Sequence, residues 1–481
     1  MNPLAELAQH QDVGAAKVAG NTVYDATQQT YTLSGAGVSL RGELDHFHFA
    51  GKKVAGDFIV QACVRFAGTS TDPSRRLGIV ARESLTSSSP YAAACVHAGT
   101  LSALLSRASV DAAATEHEVS SFHPTHIQLE RAGNRFTFSA AVFGESYKSV
   151  SVELALGHEV HVGLFVCGHE AGSTQALFSN VRVIIPAAHD FRPYTDYLGS
   201  HLEVMEVASG QRRVLHSEPG SIQAPNWTPD DKLLYNSAEG VMYAYDIATG
   251  KVDELNTGSC RQNNNDHVLS FDGKQLALSN YAGNPRRSVA FVLPATGSDA
   301  PRQVTSPEAG HTYLHGWSPD AKKLVFTGGR KGETGHYRNL WAVDVDTKVE
   351  TALTPPGTLD DGPEYTPDGK YIYFNSVRTG TMQIWRMRPD GSQPEQVTFD
   401  EYNDWFPHIS PDGRWILYIA FPIDMDPWTH PFYRQCYIRL MPASGGAPRT
   451  IGYLYGGQGS MNTPNWSPDS KRIAFVSNSK L

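Results

Sequence analysis

The chain has 481 residues, which is enough for two or three domains, and 40% of them are hydrophobic. Its formal net charge is -9 and its charged residues are scattered, so it lacks the basic stripe of a nucleic-acid-binding protein. No apolar run approaches the roughly 18 residues that a membrane-spanning helix needs. We therefore expect neither a nucleic-acid partner nor a membrane span.

The first residues, MNPLAELAQHQDVG, contain neither the basic nor the apolar region of a secretory signal peptide. This start is compatible with two locations. The chain is either a cytoplasmic protein or the mature form of an exported protein with an added methionine.

Residues 1–185 are rich in short segments with the two-residue period of β-strands. Asp57–Phe66 and Thr125–Phe143 are examples, and within the second one Gly133 and Asn134 supply a hairpin turn. About a dozen such segments, with almost no helical periodicity, predict a domain made of two packed sheets, a β-sandwich.

Several segments of this region resemble the concanavalin-A-like (jelly-roll) sandwich domains that are attached to many bacterial carbohydrate-active proteins. They are Gly42–Val64, Gly78–Leu85, Leu129–Ala141, Val162–Glu170 and Phe178–Val183. The resemblance implies a sandwich that recognises a glycan or a protein. Within the first segment, His46–Lys53 (HFHFAGKK) combines aromatic and polar residues and could contact a glycan. The alternative is packing at a strand edge.

The cysteines are odd in number and do not cluster in the sequence. They are Cys63, Cys95, Cys167, Cys260 and Cys436. We therefore predict neither a disulfide framework nor a zinc knuckle.

Residues 186–200 contain two prolines and are predicted to be a linker. Residues 201–481 then contain six copies of a phrase with a Ser/Thr-Pro-Asp turn or a close relative of it. The turns end at Asp230, Asp272, Asp320, Asp368, Asp412 and Asp469, so successive copies are 42 to 57 residues apart. This spacing is typical of four-stranded propeller blades.

Only Asn478–Leu481 follow the sixth copy, so the outer hairpin of the last blade must come from elsewhere. His201–His216 has the form of such a hairpin and lies before the first copy. We predict that residues 201–216 join the last blade and close the ring, which removes exposed sheet edges. The chain is thus predicted to be all-β, with a two-sheet sandwich over residues 1–185 and a six-bladed propeller over residues 201–481.

The Pro-Asp phrases resemble those of the TolB-like, WD40-like family of β-propellers, most closely its exported bacterial members. The resemblance favours a periplasmic or extracellular location over a cytoplasmic one. Propellers of this kind include binding proteins, lyases and peptidase-associated modules, so the fold alone does not fix an activity.

The innermost strand of each blade lines the central channel of a propeller, so the residues just before each phrase meet at one mouth. Many of these residues are unusually polar. The polar segments are Arg261–His267, His311–His315, Leu359–Glu364, Tyr402–His408 and Tyr455–Asn462. Ser221–Pro225 in the first blade is less polar, and we therefore expect a site that favours blades two to six.

Histidines and one acid in these segments are candidate metal ligands. They are His267, His311, His315 and Asp266, and the candidate ions are Mn, Zn and Ca. His267 and His315 occupy the same position of the repeat, which predicts equal depth in neighbouring blades. The alternative is that these side chains are structural hydrogen-bonding groups.

Other side chains at the same mouth are candidates for binding a sugar. Acids and amides bind hydroxyl groups, aromatic rings stack on a sugar face, and arginines bind carboxylates. The candidates are Arg261, Asp360, Asp361, Asn403, Trp405, Gln458 and Asn462, with Tyr313 and Arg338 beside them. The alternatives are turn capping, packing and solvated arginines.

Two functions fit these residues. The first is a carbohydrate-active enzyme, a metal-assisted lyase or another glycan-cleaving enzyme on acidic oligosaccharides, similar in architecture to propeller-fold uronate lyases. A cation would neutralise the uronate carboxylate so that a base could remove the neighbouring proton. The candidate catalytic residues are His267, His315, His408 and Asp404. The second function is that of a non-catalytic TolB-like module that binds a glycan or a protein.

Overall fold

A computed structural model of the chain describes residues 7–37, 40, 42–68, 72–99, 101–168, 172–330 and 338–481. Every regular element in these residues is a β-strand, which confirms the all-β prediction. The chain divides into two compact units, Met1–Pro186 with Gln211–Arg213 and Ala187–Gly210 with Val214–Leu481. The described residues include no helix that is long and apolar enough to cross a membrane.

The first unit contains two antiparallel sheets. The strands are β1 (Gln9–Val13), β2 (Asn21–Asp25), β3 (Thr30–Gly35), β4 (Phe47–Ala55), β5 (Phe58–Ala67), β6 (Arg76–Arg82), β7 (Tyr91–His97), β8 (Leu101–Arg107), β9 (Thr115–Phe122), β10 (His126–Ala132), β11 (Arg135–Ala141), β12 (Lys148–Glu153), β13 (Glu159–Cys167) and β14 (Thr174–Ile184). One sheet has the order β1-β4-β13-β6-β7-β8-β9 and the other β12-β11-β10-β5-β14-β3-β2.

The core of the first unit lies between these two sheets. Ile79 and Leu164 of one sheet belong to the same buried cluster as Val60, Leu129 and Phe138 of the other. Each fully buried side chain of this kind stabilises the fold by about 1.5–3 kcal/mol relative to its exposed form. The predicted two-sheet sandwich is therefore confirmed.

The strands from Gly199 to Ser479 form six radial sheets. They are β15 (Gly199–Glu206), β16 (Arg212–Glu218), β17 (Ile222–Trp227), β18 (Lys232–Ser237), β19 (Met242–Asp246), β20 (Val252–Glu254), β21 (Asn263–Leu269), β22 (Gln275–Ala282), β23 (Arg287–Pro294), β24 (Arg302–Gln303), β25 (Tyr313–Trp317), β26 (Lys323–Gly328), β27 (Asn339–Asp344), β28 (Glu350–Ala352), β29 (Asp360–Tyr365), β30 (Ile372–Ser376), β31 (Gln383–Met387), β32 (Glu395–Gln396), β33 (Tyr402–Ile409), β34 (Trp415–Pro422), β35 (Arg434–Pro442), β36 (Arg449–Gly456) and β37 (Arg472–Ser479).

Five blades are built from consecutive strands, β17 to β20, β21 to β24, β25 to β28, β29 to β32 and β33 to β36, and are numbered 1 to 5 here. The sixth blade has the order β16-β15-β37, so it combines strands from both ends of the region. Residues from Gly199 to Glu206 pair with residues from Ser479 back to Arg472. A bridge between Trp466 and Ile473 supplies the inner position. The six-bladed propeller is confirmed.

The repeated Asp of each phrase is a turn-forming residue. In all six copies the Ser or Thr two residues earlier donates its hydroxyl hydrogen to the Asp Oδ1, at 2.6 to 2.7 Å. This contact holds the turn before the second strand of the blade.

The inner strands carry bulges just before the phrase, and these bulges position the site. Strand pairing shifts between Gln223 and Asn226 in blade 1 and at matching places in blades 2 to 5. Ala224, Gly362 and Phe406 occupy equivalent positions and have φ of 51°, 61° and 52°. A bulge bends a strand and re-aims its side chains, here toward the channel.

Candidate functional site

One cavity of about 700 Å³ lies at the mouth of the propeller channel, within the second unit. Tyrosines, amides and charged groups form its polar lining. They include Tyr194, Tyr197, Tyr281, Tyr313, Gln223, Asn263, Asn264, Asn265, Gln458, Asn462, Asp266, Asp361, Glu239, Arg286, Arg338, His315 and His430. Phe406 and Phe432 add apolar surface. Blade 1 contributes Gln223 and Glu239, so the lining draws on more of the ring than the sequence suggests.

Several of the side chains that the sequence singled out as binding or catalytic candidates line this cavity together. They are Asp266, His315, Asp361, Gln458 and Asn462, with Tyr313 and Arg338. They come from blades 2, 3 and 4 and from the segment between β36 and β37. Residues far apart in sequence therefore meet around one space.

His315 and Asp361 form an ion pair between neighbouring blades. His315 Nε2 lies 3.2 Å from Asp361 Oδ1, and His315 Nδ1 donates to the Asn462 carbonyl oxygen at 3.1 Å. Burial alone would lower the pKa of His315, but the hydrogen bond and charge of Asp361 outweigh it and raise that pKa. Burial alone would raise the pKa of Asp361, but His315 holds it well below its usual range. Both shifts favour the charged form of the pair.

Asp266 is a second acid in the same cavity, and its environment differs. Burial raises the pKa of its carboxyl group to about 6, and Asp361 adds to the increase. The charges of His315 and Arg338 and a hydrogen bond from Asn462 offset part of it. Asp266 thus changes protonation near neutral pH, whereas Asp361 stays ionised.

Arg338 is the cation best placed for an anionic ligand. Its guanidinium group lies over the Tyr313 ring, 5.1 Å from the centroid. Among the described residues it makes neither a hydrogen bond nor a salt bridge through that group. Burial would lower the pKa of Arg338, but the charges of Asp361 and Asp266 and the two phenols Tyr313 and Tyr194 raise it. The guanidinium group is therefore a charged donor that faces the cavity.

His430 lines the cavity although the sequence did not single it out. It lies between β34 and β35, outside the repeated phrase. Its ring packs on Trp405 and Phe406, with centroids 4.7 and 4.9 Å away. By distance and angle neither ring nitrogen makes a well-formed hydrogen bond with a described residue. Burial lowers the pKa of His430 to about 3, and the backbone of Pro431 opposes this shift.

Tyr194 and Tyr197 were also missed, because they precede the propeller strands in a segment predicted to be a linker. Tyr194 meets Phe432 edge to face at 4.7 Å, and the Tyr433 hydroxyl oxygen accepts from the Leu198 amide at 3.0 Å. These contacts hold the segment against the loop that carries His430. The three aromatic residues in this proline-containing stretch were the only available signal.

His315 lines the cavity, whereas His267 does not. Its ring is fully buried, with Nδ1 3.0 Å from Asn226 Oδ1, and burial lowers its pKa to about 4. His315 occupies the bulge of its strand, whereas His267 pairs with Leu278 beyond the bulge of its own. The different position in the bulge separates the two side chains.

His408 joins blades 4, 5 and 6 away from the cavity lining. Its Nδ1 lies 2.7 Å from Glu364 Oε2, and its Nε2 donates to the Met461 carbonyl oxygen at 2.8 Å. Glu364 also accepts from the Ile409 amide at 2.9 Å. Both nitrogens of His408 are thus engaged in contacts that hold the ring together.

Three other predicted residues also have protein partners and do not line the cavity. Asp360 binds Arg378 through both oxygens at 3.0 Å. Arg261 forms an exposed ion pair with Glu254 at 2.7 Å. His311 has Arg287 Nη1 3.0 Å from its Nε2 and the Ser288 amide 3.2 Å from its Nδ1.

The segment Asn403 to Trp405 is buried in blade 5 beside the cavity. Asn403 accepts from the Met382 amide at 3.0 Å and donates to the Met425 carbonyl oxygen at 3.0 Å. Asp404 is fully buried, and by distance and angle neither carboxyl oxygen makes a well-formed hydrogen bond with a described residue. The Thr398 side chain nevertheless acts to lower its pKa. Trp405 packs against His430 and supports it from behind the cavity wall.

The predicted metal ligands do not fit a metal ion. Within the described residues, no group of three or more His, Cys, Asp or Glu side chains is arranged to hold one. His311 and His315 use both ring nitrogens in protein contacts, and His267 is buried against Asn226. We therefore assign no reaction step to a metal.

In the sandwich, the polar-aromatic stretch His46–Lys53 lies mostly in β4, between β1 and β13. His48 is buried, with Nδ1 2.8 Å from Asp12 Oδ1 and Nε2 2.9 Å from Thr22 Oγ1. Lys53 pairs with Glu159 at 2.7 Å. His48 therefore connects strands β1, β2 and β4.

Comparisons with known proteins agree with the propeller. Residues 268–422 match the family model described as the TolB beta propeller domain. An uncharacterized protein of Agrobacterium fabrum is 41% identical over 278 residues, which cover 58% of this chain and 92% of that protein. An Agrobacterium tumefaciens structure solved as a TolB candidate is 39% identical, with a TM-score of 0.55, covering 60% of this chain and 100% of that one.

More distant relatives include the Tol-Pal system protein TolB of Francisella tularensis subsp. tularensis. It is 27% identical over 291 residues, which cover 57% of this chain and 62% of that protein, less than two thirds of its length. The repeated phrases, the six radial sheets and the 41% identical relative lead to one conclusion. The chain belongs to the TolB-like β-propeller family.

Proposed function

We propose that this protein is carbohydrate-active and binds an acidic oligosaccharide in the propeller cavity. The observation that carries the proposal is the charged Arg338 guanidinium group, which makes no hydrogen bond to the described residues and faces a cavity whose lining combines phenols and amides with other charged groups. Arginine binds carboxylates through paired hydrogen bonds, and aromatic rings beside amides suit the two sides of a sugar.

The size of the cavity supports a short ligand. Pockets of roughly 300–1,000 Å³ hold ligands of drug size, and this one measures about 700 Å³. Tyr194 and Phe432 form part of its wall and contact each other. We infer that it accepts the end of a chain or a short oligomer.

A second candidate function is elimination on the same uronate, and the different pKa shifts of two cavity groups favour it. Asp266, whose pKa is raised to about 6, would remove the C5 proton as a carboxylate. The electron pair left on C5 would form the C4–C5 double bond as the C4–O bond breaks. His315, held protonated by Asp361, would donate a proton to the leaving oxygen.

The test of binding compares wild type with Arg338→Gln on uronate and neutral oligosaccharides by calorimetry. Loss of a charge-assisted contact is expected to weaken uronate binding by roughly 10- to 100-fold, with no effect on neutral sugars. Arg261→Gln is the matched control, because Arg261 pairs with Glu254 outside the cavity. Equal affinity of wild type for acidic and neutral ligands contradicts the proposal.

The test of elimination follows the ultraviolet absorbance of unsaturated products. Asp266→Asn is expected to abolish product formation while binding persists. Binding without any product by wild type leaves the non-catalytic binding module as the function. If peptides rather than sugars occupy the cavity, the module is a protein-binding one, and the periplasmic or extracellular location that we also propose would then bring it to a protein partner.

A further inference from the structure

The loop between β34 and β35 places His430 at the cavity, where the backbone of neighbouring Pro431 interacts with its polar ring atoms. Both ring nitrogens are buried, and by distance and angle neither makes a well-formed hydrogen bond with a described residue. Its ring is held between apolar contacts, with Trp405 at 4.7 Å and Phe406 at 4.9 Å. A buried polar group without a hydrogen bond destabilises the fold by about 1–3 kcal/mol. Its presence in a cavity lining therefore points to a ligand group that supplies the missing hydrogen bond.

Asn265, which also lines the cavity, presents a second group of this kind. Its Nδ2 is buried and makes no hydrogen bond to any residue that the structure describes. Its Oδ1 accepts from Gln458 Nε2 at 3.3 Å, and the Gln458 amide donates to the Pro431 carbonyl oxygen at 2.8 Å. Gln458 therefore connects Asn265 to the residue after His430, and both His430 and Asn265 line the cavity.

Burial keeps the imidazole ring of His430 neutral. Burial lowers its pKa to about 3, and the positive charges of Arg338 and His315 act in the same direction against the opposing charge of Asp361. His315 also contacts Phe406, with ring centroids 5.5 Å apart. A neutral imidazole offers one N–H donor and one acceptor nitrogen, which is the pattern that a hydroxyl group completes.

We propose that His430 and Asn265 form a hydroxyl-binding subsite that selects the configuration of the sugar whose carboxylate binds Arg338. This inference rests on the proposed function, since it assigns the remaining polar groups of the same ligand. Arg338 supplies affinity for the charge, and the subsite supplies discrimination among uronates that carry the same charge.

The experiment uses the methyl glycosides of glucuronate, of its C4 epimer galacturonate and of its C2 epimer mannuronate, together with their neutral methyl esters. Affinities for wild type and His430→Phe are measured by calorimetry or ligand-observed NMR. Phenylalanine keeps an aromatic ring against Trp405 and Phe406 and removes both nitrogens. His216→Phe is the control, because His216 lies on β16 and pairs with Glu218 at 2.6 Å outside the cavity lining.

Wild type is expected to prefer one epimer by about tenfold, the equivalent of one good hydrogen bond. His430→Phe is expected to bind that epimer about tenfold more weakly and to treat all three alike, while its melting temperature stays equal or rises. A merely structural role for His430 would lower the melting temperature and leave the epimer ratio unchanged.

The possible failures are distinguishable. An unchanged epimer ratio in His430→Phe, or a wild type that binds all three epimers equally, overturns the hydroxyl subsite while the uronate site stands. A wild type that binds the methyl esters as well as the acids overturns the proposed function, and the effect of His430→Phe on epimer choice among the esters still decides the subsite. A wild type that binds none of the six compounds overturns both.

Discussion

Nε2 of His315 lies 3.2 Å from Oδ1 of Asp361, and this contact joins the inner strands of blades 3 and 4 inside the cavity. The pKa of His315 is raised, so its contribution to stability is full below its ordinary value of 6.5 and is lost as pH rises through the raised value. The pKa of Asp361 is lowered, so its contribution is full above 3.8 and is lost as pH falls. Both residues therefore contribute fully to stability only between pH 3.8 and pH 6.5.

Asp361→Asn is therefore expected to destabilise the propeller most in this window, by about 2 kcal/mol, the worth of a hydrogen bond to a charged group. The destabilisation should shrink as pH rises above the raised pKa of His315. Urea unfolding of both proteins across pH measures it. A difference in unfolding free energy that does not vary with pH contradicts the assignment.

Asp266→Asn should have the opposite effect on stability. A carboxyl group whose pKa is raised from 3.8 to about 6 contributes stability below 3.8 and loses it as pH rises through 6. At neutral pH the wild type thus carries a penalty of up to about 3 kcal/mol that Asn lacks. We expect the variant to melt higher than wild type at neutral pH and to lose most of this advantage in acid, as thermal unfolding at both conditions would reveal.

Asp404→Asn tests the effect of a raised carboxyl pKa on stability at a residue outside the cavity lining. Burial raises the pKa of Asp404 well above its ordinary value, and the charge of Asp400 adds to this while Arg439 opposes it. Because the pKa of this carboxyl group is raised, ionising it in the folded protein costs free energy. The variant should therefore become more stable than wild type as pH increases. Ligand affinity should not change, because Asp404 does not line the cavity. Loss of ligand binding in a well-folded variant would instead support the prediction from the sequence that Asp404 is a functional residue.

Glu364 and His408 should behave as one structural unit. Removing one partner leaves the other buried and unsatisfied, which costs about 3–5 kcal/mol. Glu364→Gln and His408→Gln are each expected to destabilise, and the double variant to be less destabilised than the sum of the two. A double-mutant cycle on unfolding free energies measures this coupling. Additive effects would show that the 2.7 Å contact contributes little.

The repeat architecture was predictable because its causes are local. Each Ser or Thr bonds the Asp two residues later, and this turn recurs at blade spacing, so sequence alone predicts the blades. The different contacts of His267 and His315 were not predictable, since both residues occupy the same position of the repeat. Their partners, Asn226 and Asp361, come from different neighbouring blades, and only the folded ring brings each pair together.

Side chains outside the repeat were harder still to predict. His430 lies in the loop between β34 and β35, outside the repeated phrase, and its importance depends on the hydrogen bonding of its buried ring nitrogens, which no sequence pattern records. Tyr194 faces the cavity only because Phe432 contacts it. The sequence could identify the mouth of the channel, but the residues that complete its wall follow from tertiary packing.

Gly362 connects a backbone conformation to the shape of the cavity. Its φ is 61°, in the left-handed region that disfavours side chains, and an added Cβ would lie 2.8 Å from Asn375 Oδ1 and 2.8 Å from Phe406 Cδ1. Asn375 Oδ1 also accepts the Phe406 amide hydrogen at 3.0 Å, so a methyl group there would push on both partners of one contact.

Gly362→Ala is therefore expected to destabilise the propeller by more than the roughly 1–2 kcal/mol of left-handed strain alone. It should also weaken ligand binding, because Phe406 supports both His315 and His430. Gly413→Ala is the matched control, since Gly413 has φ of 71° and nothing within 4 Å of an added Cβ. Equal destabilisation of the two variants, measured by urea unfolding, would mean that Phe406 moves aside freely, and unchanged affinity would then follow.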